Sequence, residues 1–311
     1  MSEPISLKNK PTLKELLEKE QVFVPCVWDC ISTRAAEMSG FKAVLLSSAC
    51  VAYSLIGTPD IGLITSNELV AVTERIANTT RLPIIVDADE GYGDSPLMVY
   101  RTCHRLAKAG AMAITIDDTT NIRGFERAPY FGFDNGYESG LCSREEFLAK
   151  INAAVKGVEG TDCMVIARTA AYMREGMDGA IERMARSEEL GAHMTMILGI
   201  RSNEEARLIG EKLKGWKMFP DIYSIDGTHV DVDLDVIKAY GFNLVSCHYL
   251  EKGAMWGMLD YGKHVFEDQG TAYADDHDMG GTLENGWIGV YEDLSMYKDW
   301  LDLEAKFRDE I

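Results

Sequence analysis

Short apolar, β-branched runs alternate along this chain with longer amphipathic stretches, the pattern of a parallel sheet whose strands are separated by covering helices. Eight such runs are read as strands: Val22 to Pro25, Ala43 to Ser47, Pro83 to Asp87, Met112 to Ile116, Met164 to Ala167, Met194 to Leu198, Ile222 to Ile225 and Asn243 to Cys247. Between them, Ser66 before Asn67-Glu68-Leu69-Val70, Ser95 before Pro96-Leu97-Met98 and Ser143 before Arg144-Glu145-Glu146-Phe147 supply helix N-caps, the last as a capping box. Gly40, Gly110, Gly191 and Gly241 each fall about three to five residues before the next strand, where short helix-to-strand loops place a helix-ending glycine.

Eight strand-helix units in 311 residues predict a TIM-type (β/α)8 barrel. An open doubly wound sheet would carry a glycine-rich phosphate loop after its first strand, and this strand ends Pro25-Cys26-Val27-Trp28-Asp29. With no composition break, residues 1–311 read as one domain: an N-terminal extension over 1–20, the barrel core over 21–250 and a C-terminal helical region over 251–311. That region holds an aromatic-rich segment from Trp287 to Phe307 in which Trp287, Tyr291, Leu294, Tyr297, Leu301 and Leu303 form an apolar stripe at helical spacing. Such a stripe packs back on its own barrel or docks on a neighbouring subunit, and the pattern alone leaves both open.

Composition narrows the partners. A formal charge of −19 repels nucleic acid and anionic lipid, so neither is expected. No apolar run approaches the roughly 20 residues of a membrane span. The N-terminus lacks a secretory or transit pattern, and seven scattered cysteines fit reduced thiols, so a cytoplasmic location is expected. Overall acidity does not exclude a small carboxylate substrate, provided a cation or a few arginines receive it.

In a barrel of this type the chemistry sits at the carboxyl ends of the strands. The third strand ends Asp87-Ala88-Asp89-Glu90-Gly91-Tyr92-Gly93, and strand alternation turns Asp87 and Asp89 the same way. The fourth, ending Ile116-Asp117-Asp118, brings more carboxylate to the same rim. Clustered carboxylates need a cation, and oxygen ligands suit Mg²⁺, with Mn²⁺ as substitute. No organic cofactor is expected. Ser47-Ser48-Ala49 offers hydroxyls and N–H groups to a substrate oxygen, and Arg168 either clamps a carboxylate or pairs with the acids.

These fragments, in this order, resemble the isocitrate lyase/phosphoenolpyruvate mutase superfamily. The resemblance runs from Pro25-Cys26-Val27-Trp28-Asp29 to about Thr271 through Gly40-Phe41-Lys42-Ala43, Thr58-Pro59-Asp60-Ile61-Gly62-Leu63, the Asp87 to Gly93 signature, Ala109-Gly110-Ala111 and Ile166-Ala167-Arg168-Thr169. It implies a Mg²⁺-bound enolate and a C–C or P–C bond made or broken beside it. It further implies that Ser47 to Ala49 bind the 2-oxo acid, and that Asp60, Asp87 and Asp89 hold the metal and its waters. Asp117 takes the family's Glu position, and Arg168 clamps a carboxylate or oxyanion. A tetramer formed by exchange of a C-terminal helix is implied as well.

The departures matter as much. Relatives that are lyases carry a Lys-Lys-Cys-Gly-His loop whose cysteine donates a proton, whereas this chain reads Thr119-Thr120-Asn121-Ile122-Arg123-Gly124-Phe125-Glu126-Arg127-Ala128-Pro129-Tyr130 and continues to Gly140. Cys142 is misplaced to replace that cysteine, and the mutase loop is missing too. Leu198 stands where lyases have Glu and mutases His, and Ser224 where many relatives have Asn. Trp28, Asp29, Leu198, Ser224 and His248 are expected to line the substrate pocket, roofed by an aromatic loop containing Phe125, Tyr130, Phe131, Phe133 and Tyr137 with glycine hinges. His248 is an acid-base candidate or hydrogen-bonded structure, and Tyr92 or a water moves the proton. The leading expectation is a Mg²⁺-dependent carbon–carbon lyase or decarboxylase acting on a small 2-hydroxy or 2-oxo acid. Phosphonate P–C chemistry and a non-catalytic metabolite-binding barrel are the alternatives.

Overall fold

A computed structural model describes residues 10–120, 140–222, 232–277 and 286–310. Eight parallel strands close into a barrel in sequence order: β1 Val22–Val27, β2 Val44–Leu46, β3 Ile84–Asp87, β4 Ala111–Asp117, β5 Met164–Thr169, β6 Met194–Ile197, β7 Trp216–Phe219 and β8 Phe242–Cys247. Closure is made by β8 against β1, with Val22 opposite Leu244 and Pro25 opposite Cys247. The helices are α1 Leu13–Leu17, α2 Cys30–Met38, α3 Ser48–Ile56, α4 Ser66–Ala77, α5 Pro96–Lys108, α6 Arg144–Gly157, α7 Tyr172–Glu189, α8 Asn203–Lys212, α9 Leu234–Ala239, α10 Leu250–Asp268, α11 Ala272–Asp276, α12 Gly286–Ser295 and α13 Tyr297–Asp309. Among the described residues no helix is long and apolar enough to cross a membrane.

Period-two alternation sorts the strand residues into two buried clusters. Cys26, Leu45, Ile85, Ala113, Ile166, Met196, Met218 and Leu244, one from each strand, fill the lumen, and Leu13, Leu16 and Leu17 of α1 join them beside Val22. The amino-terminal helix therefore plugs the bottom of the barrel, opposite the strands' carboxyl ends. Val27, Leu46, Val86, Ile114, Ala167, Ile197, Phe219 and Val245 face outward and pack against the helices.

Seven of the eight expected strands fall where the pattern puts them, with ends shifted by a residue or a few. The seventh is a correction: it is Trp216–Phe219, not Ile222 to Ile225. Lys217 interrupts the apolar run, yet it is buried, and its Nζ donates to the Gly215 carbonyl at 2.7 Å. Its aliphatic stem thus occupies a strand position that a charge-averse pattern rejects. Ile222 follows that strand, donating its N–H to the Ser246 carbonyl at 3.2 Å. Residues 223–225 lie outside the described residues.

The caps at Ser95 and Ser143 stand as expected, Ser143 in a full capping box with Glu146. Ser66 is instead the first residue of α4, because Thr65 makes the reciprocal bonds with Glu68. The four helix-ending glycines all take positive φ. Gly110 shows why: at φ +106°, a Cβ there would lie 2.6 Å from the Ala77 Cβ.

The C-terminal stripe is carried by two helices, broken at Met296 with φ 55°. The first, α12, docks on its own barrel, where Val290 is buried and Arg34 of α2 donates to the Asp293 carbonyl at 2.8 Å. By contrast α13 exposes Tyr297, Trp300, Leu301 and Phe307.

Candidate active site

The inward-facing series that fills the lumen also builds the mouth. Two residues beyond Cys26, Leu45, Ile85 and Ala113 stand Trp28, Ser47, Asp87 and Thr115, and two beyond Ile166 and Met196 stand Arg168 and Leu198. Trp28 and Leu198 pack on the lumen cluster, forming an apolar edge beside the polar groups. Asp117 and His248 continue the same alternation on β4 and after β8.

At the centre lies Arg168. Its Nη1 is 2.8 Å from Asp87 Oδ1, and its Nη2 lies 2.5 Å from Asp117 Oδ2 and 3.5 Å from Asp89 Oδ1. Asp89 and Asp117 are buried, with 2% of each residue exposed. Burial alone would lower the guanidinium, but Asp87, Asp117 and Asp89 outweigh it and hold Arg168 well above its ordinary range. Of the two readings open for Arg168 in the sequence, ion pairing with the acids is the one seen; its Nη groups bridge all three carboxylates.

Hydroxyls complete the ring. Ser48 donates to Asp89 Oδ1 at 3.0 Å and approaches Asp87 Oδ2 at 3.4 Å. Tyr92 donates to Asp89 Oδ2 at 3.2 Å, Thr115 to Asp87 Oδ1 at 2.8 Å and Thr119 to Asp117 Oδ1 at 2.6 Å. Thr115 and Thr119 were not among the sequence candidates, although Thr115 sits on the inward face between Ala113 and Asp117. Asp89 and Tyr92 adopt left-handed conformations, φ 50° and 59°, which cost non-glycine residues on the order of 1–3 kcal/mol each and concentrate at functional turns. Between them Gly91 is at φ +93°, and a Cβ there would meet Val99 Cγ2 at 2.7 Å.

Other expected positions divide. Ser47 caps α3, accepting from the Cys50 N–H at 3.4 Å, so Ser48 and Ala49 lie in the first turn at the mouth. Asp29 is occupied as the α2 cap, its carboxylate accepting from the Ser32 N–H and hydroxyl at 2.7 Å each. Asp60 is half-buried in the loop between α3 and α4, near enough to Cys50 for its charge to act on that thiol. Ser224 and the aromatic loop residues Phe125, Tyr130, Phe131, Phe133 and Tyr137 lie outside the described residues. The stems of that loop are joined, Thr120 donating to the Gly140 carbonyl at 2.9 Å and Cys142 to that of Asp118 at 2.8 Å.

Asp118 is a correction. By alternation it follows Ile114 and Ile116 and faces the helix layer, not the mouth. There it accepts from Thr169 Oγ1 at 2.5 Å and the Ala170 N–H at 2.9 Å, with Arg183 Nη1 at 3.4 Å. Burial pushes its carboxyl up to about 6. Cys142 has its thiol raised to about 11 by burial, and its carbonyl accepts from Arg183. The thiol is thereby a poor proton donor, as its place in the sequence suggests. His248 pairs through Nδ1 with Asp221; burial pulls the ring down, but the Asp221 bond and charge bring it above its usual value.

The mouth meets the demands of a hard divalent cation. Its donors are all oxygen, and three carboxylates converge there on one guanidinium, the donor set that such an ion takes.

Residues 13–260 match the family described as phosphoenolpyruvate phosphomutase. An oxaloacetate decarboxylase of Paraburkholderia xenovorans (strain LB400) is 32% identical over 203 residues, 65% of this chain and 65% of that protein. The chain thus spans just under two thirds of that relative's length. The petal death protein of Dianthus caryophyllus is 28% identical over 313 residues, 98% of this chain and 91% of that one. Among solved structures, 2,3-dimethylmalate lyase superposes with a TM-score of 0.79 at 25% identity, covering 94% of this chain and 97% of the other.

Proposed function

This chain belongs to the phosphoenolpyruvate mutase family within the isocitrate lyase/phosphoenolpyruvate mutase superfamily, and from that premise we propose that it is a carbon–carbon lyase or decarboxylase acting on a small 2-hydroxy or 2-oxo acid. The observation that carries the reading is the convergence of Asp87, Asp89 and Asp117 on Arg168 at the barrel mouth.

Asp87, Asp89 and Asp117, with Asp60 through water, are the residues that would hold Mg²⁺, for which Mn²⁺ can substitute. When bound, the ion would supply Lewis-acid polarisation of the substrate's oxygen atoms. The chain's own residues do the rest. Ser47, Ser48 and Ala49 receive the 2-oxo acid at the amino end of α3, where helix N–H groups lack intrahelical acceptors. Arg168, planar and permanently charged, takes up negative charge that develops on the substrate oxygen as the bond beside the carbonyl breaks. Tyr92, whose hydroxyl donates to Asp89, or a water carries the proton, a role that this contact with the carboxylate ring supports for Tyr92. Trp28 and Leu198 give the pocket an apolar edge that favours a less polar distal group than isocitrate presents. The working protein is a cytoplasmic homo-oligomer, a tetramer by exchange of its C-terminal helix.

A second reading, phosphorus–carbon chemistry on a phosphonate, is favoured by the description of the matched family, and the same acids and Arg168 suit it. Turnover of oxaloacetate, a 2-methylisocitrate-type acid and phosphonopyruvate, measured with Mg²⁺ and after chelation, separates the readings. Metal-dependent cleavage of a carboxylic acid that disappears in Asp87→Ala is the expected result. Preference for phosphonopyruvate reverses the order, and no turnover of any of them leaves a binding barrel.

A further inference from the structure

Beside the carboxylate ring, near enough for the charge of Asp87 to act on both Cys50 and His248, α3, the end of β8 and α10 bring together Cys50, His248 and Glu251, none of which the proposed reaction uses as a metal ligand. One potential ligand atom from each lies within 4.8 Å of the others. Cys50 is buried at 3% exposure, while His248 and Glu251 are half-buried and give the cluster an open side. Glu251 Oε2 is shielded from solvent without a hydrogen-bond partner, although buried carboxylate oxygens normally have one. His248 is oriented by a carboxylate: its Nδ1 faces Asp221, so Nε2 is the ring nitrogen that would ligate a metal.

We propose that Cys50, His248 and Glu251 form a binding site for a thiophilic divalent cation of the Zn²⁺ type, distinct from the Asp87–Asp89–Asp117 site. One sulfur, one imidazole nitrogen and one carboxylate oxygen match the mixed donor set that zinc accepts and Mg²⁺ does not. Three protein ligands leave a fourth tetrahedral position for water. The Asp221–His248 pair is the outer carboxylate–histidine arrangement that fixes the tautomer of a metal-bound imidazole. Loading is a proton exchange in which the Cys50 thiol gives up its hydrogen and the thiolate bonds the cation, with no change in oxidation state. Burial pushes that thiol up to about 12, so affinity rises with pH as the displaced proton is taken up by solvent. The site stands on its own geometry and does not depend on the lyase reading.

Cobalt(II) is the probe, because thiolate ligation gives it a ligand-to-metal charge-transfer band that oxygen ligands do not. The full-length protein, stripped with chelator and titrated with Co²⁺, is expected to develop that band at one equivalent and lose it to competing Zn²⁺ but not to Mg²⁺. Cys50→Ser should abolish the band, and Asp221→Asn should keep it while weakening affinity about 10- to 100-fold. Glu251→Gln, which keeps shape and leaves the cysteine in place, should weaken Co²⁺ roughly tenfold or more, providing a readout should Cys50→Ser fail to fold. Asp87→Ala should leave the band in place, which keeps this result separate from the fate of the carboxylate site. A wild-type protein that binds Co²⁺ without the band, or a band that survives in a folded Cys50→Ser protein, overturns the proposal, as does unchanged affinity in Glu251→Gln.

Discussion

Asp117 and Arg168 are register partners on adjacent parallel strands, and their side chains meet at 2.5 Å between Oδ2 and Nη2. Because both point into the lumen, the contact is fixed by backbone pairing and not by loop conformation. The same guanidinium reaches Asp87 on β3, so one cation ties three consecutive strands at the mouth. A charge in that position both offsets the acids and stands ready for a substrate anion.

Arg168→Gln should therefore have two effects. Turnover should fall by about 10²–10³-fold, the usual effect of removing a donor from a developing oxyanion. In addition, Asp87, Asp89 and Asp117 lose the charge of Arg168, so the metal-free protein should melt lower and Mg²⁺ should raise its Tm by more than it raises the parent's. Calorimetry with and without Mg²⁺ checks this; a smaller Mg²⁺-induced rise than in the parent would place the ion elsewhere.

Asp118 gives a pH prediction whose sign follows from burial. Its carboxyl is pushed from 3.8 to about 6 because burial outweighs the Thr169 and Ala170 hydrogen bonds and the Arg183 charge, with Asp117 adding to the rise. A raised folded-state value means that the folded chain binds the proton more tightly than the unfolded one. The linked stability, on the order of 3 kcal/mol, is complete below about pH 4 and is lost as pH rises through about 6. Asp118→Asn, permanently neutral, should gain stability relative to the parent over that window, read as the difference between two Tm-against-pH curves. A variant that instead loses ground as pH rises would show that the Arg183 pair dominates.

Much of this was legible because alternation is a strong constraint. A residue two beyond an inward apolar one is also inward, which is how Asp87, Arg168 and Leu198 are reached from Ile85, Ile166 and Met196. What escaped detection did so for physical reasons. Lys217 hides β7, because a pattern reader penalises charge where the fold accommodates a long aliphatic stem. Asp118 looks like a rim acid until the one-residue shift that turns it to the helix layer is taken into account. Asp29 reads as a pocket residue because a helix cap and a ligand carboxylate are alike in sequence. Asp221 and Glu251 carried no signal, since their significance lies in contacts between distant segments.

Gly91→Ala tests the turn that sets Asp89. At φ +93°, and with a Cβ 2.7 Å from Val99 Cγ2, alanine is both strained and crowded. The expected loss is about 1–3 kcal/mol of stability, together with a fall in activity as Asp89 shifts away from Ser48 and Arg168. Gly160→Ala is the control, with φ +81° and nothing within 4 Å of the added carbon. It should show the stability loss and keep the activity. Equal activity loss in both would mean that the Asp89 turn is not special.

The exposed side of α13 leads to the last prediction. Tyr297, Trp300, Leu301 and Phe307 are each more than half exposed, and on α10 Trp256, Leu259 and Phe266 are each at least 70% exposed. Aromatic and aliphatic side chains at this density are a heavy load for a solvated surface, whereas a second copy of the chain would cover them. The parent protein should therefore run in light scattering as a multiple of its single-chain mass. Trp300→Glu combined with Leu301→Glu should lower that multiple, because two charges would then sit in the covered face and be desolvated on assembly. The barrel's circular dichroism should be retained, since α13 contributes nothing to the buried core. If the parent is monomeric at all concentrations, or the double variant assembles as it does, the stripe has another purpose and helix exchange between copies is wrong.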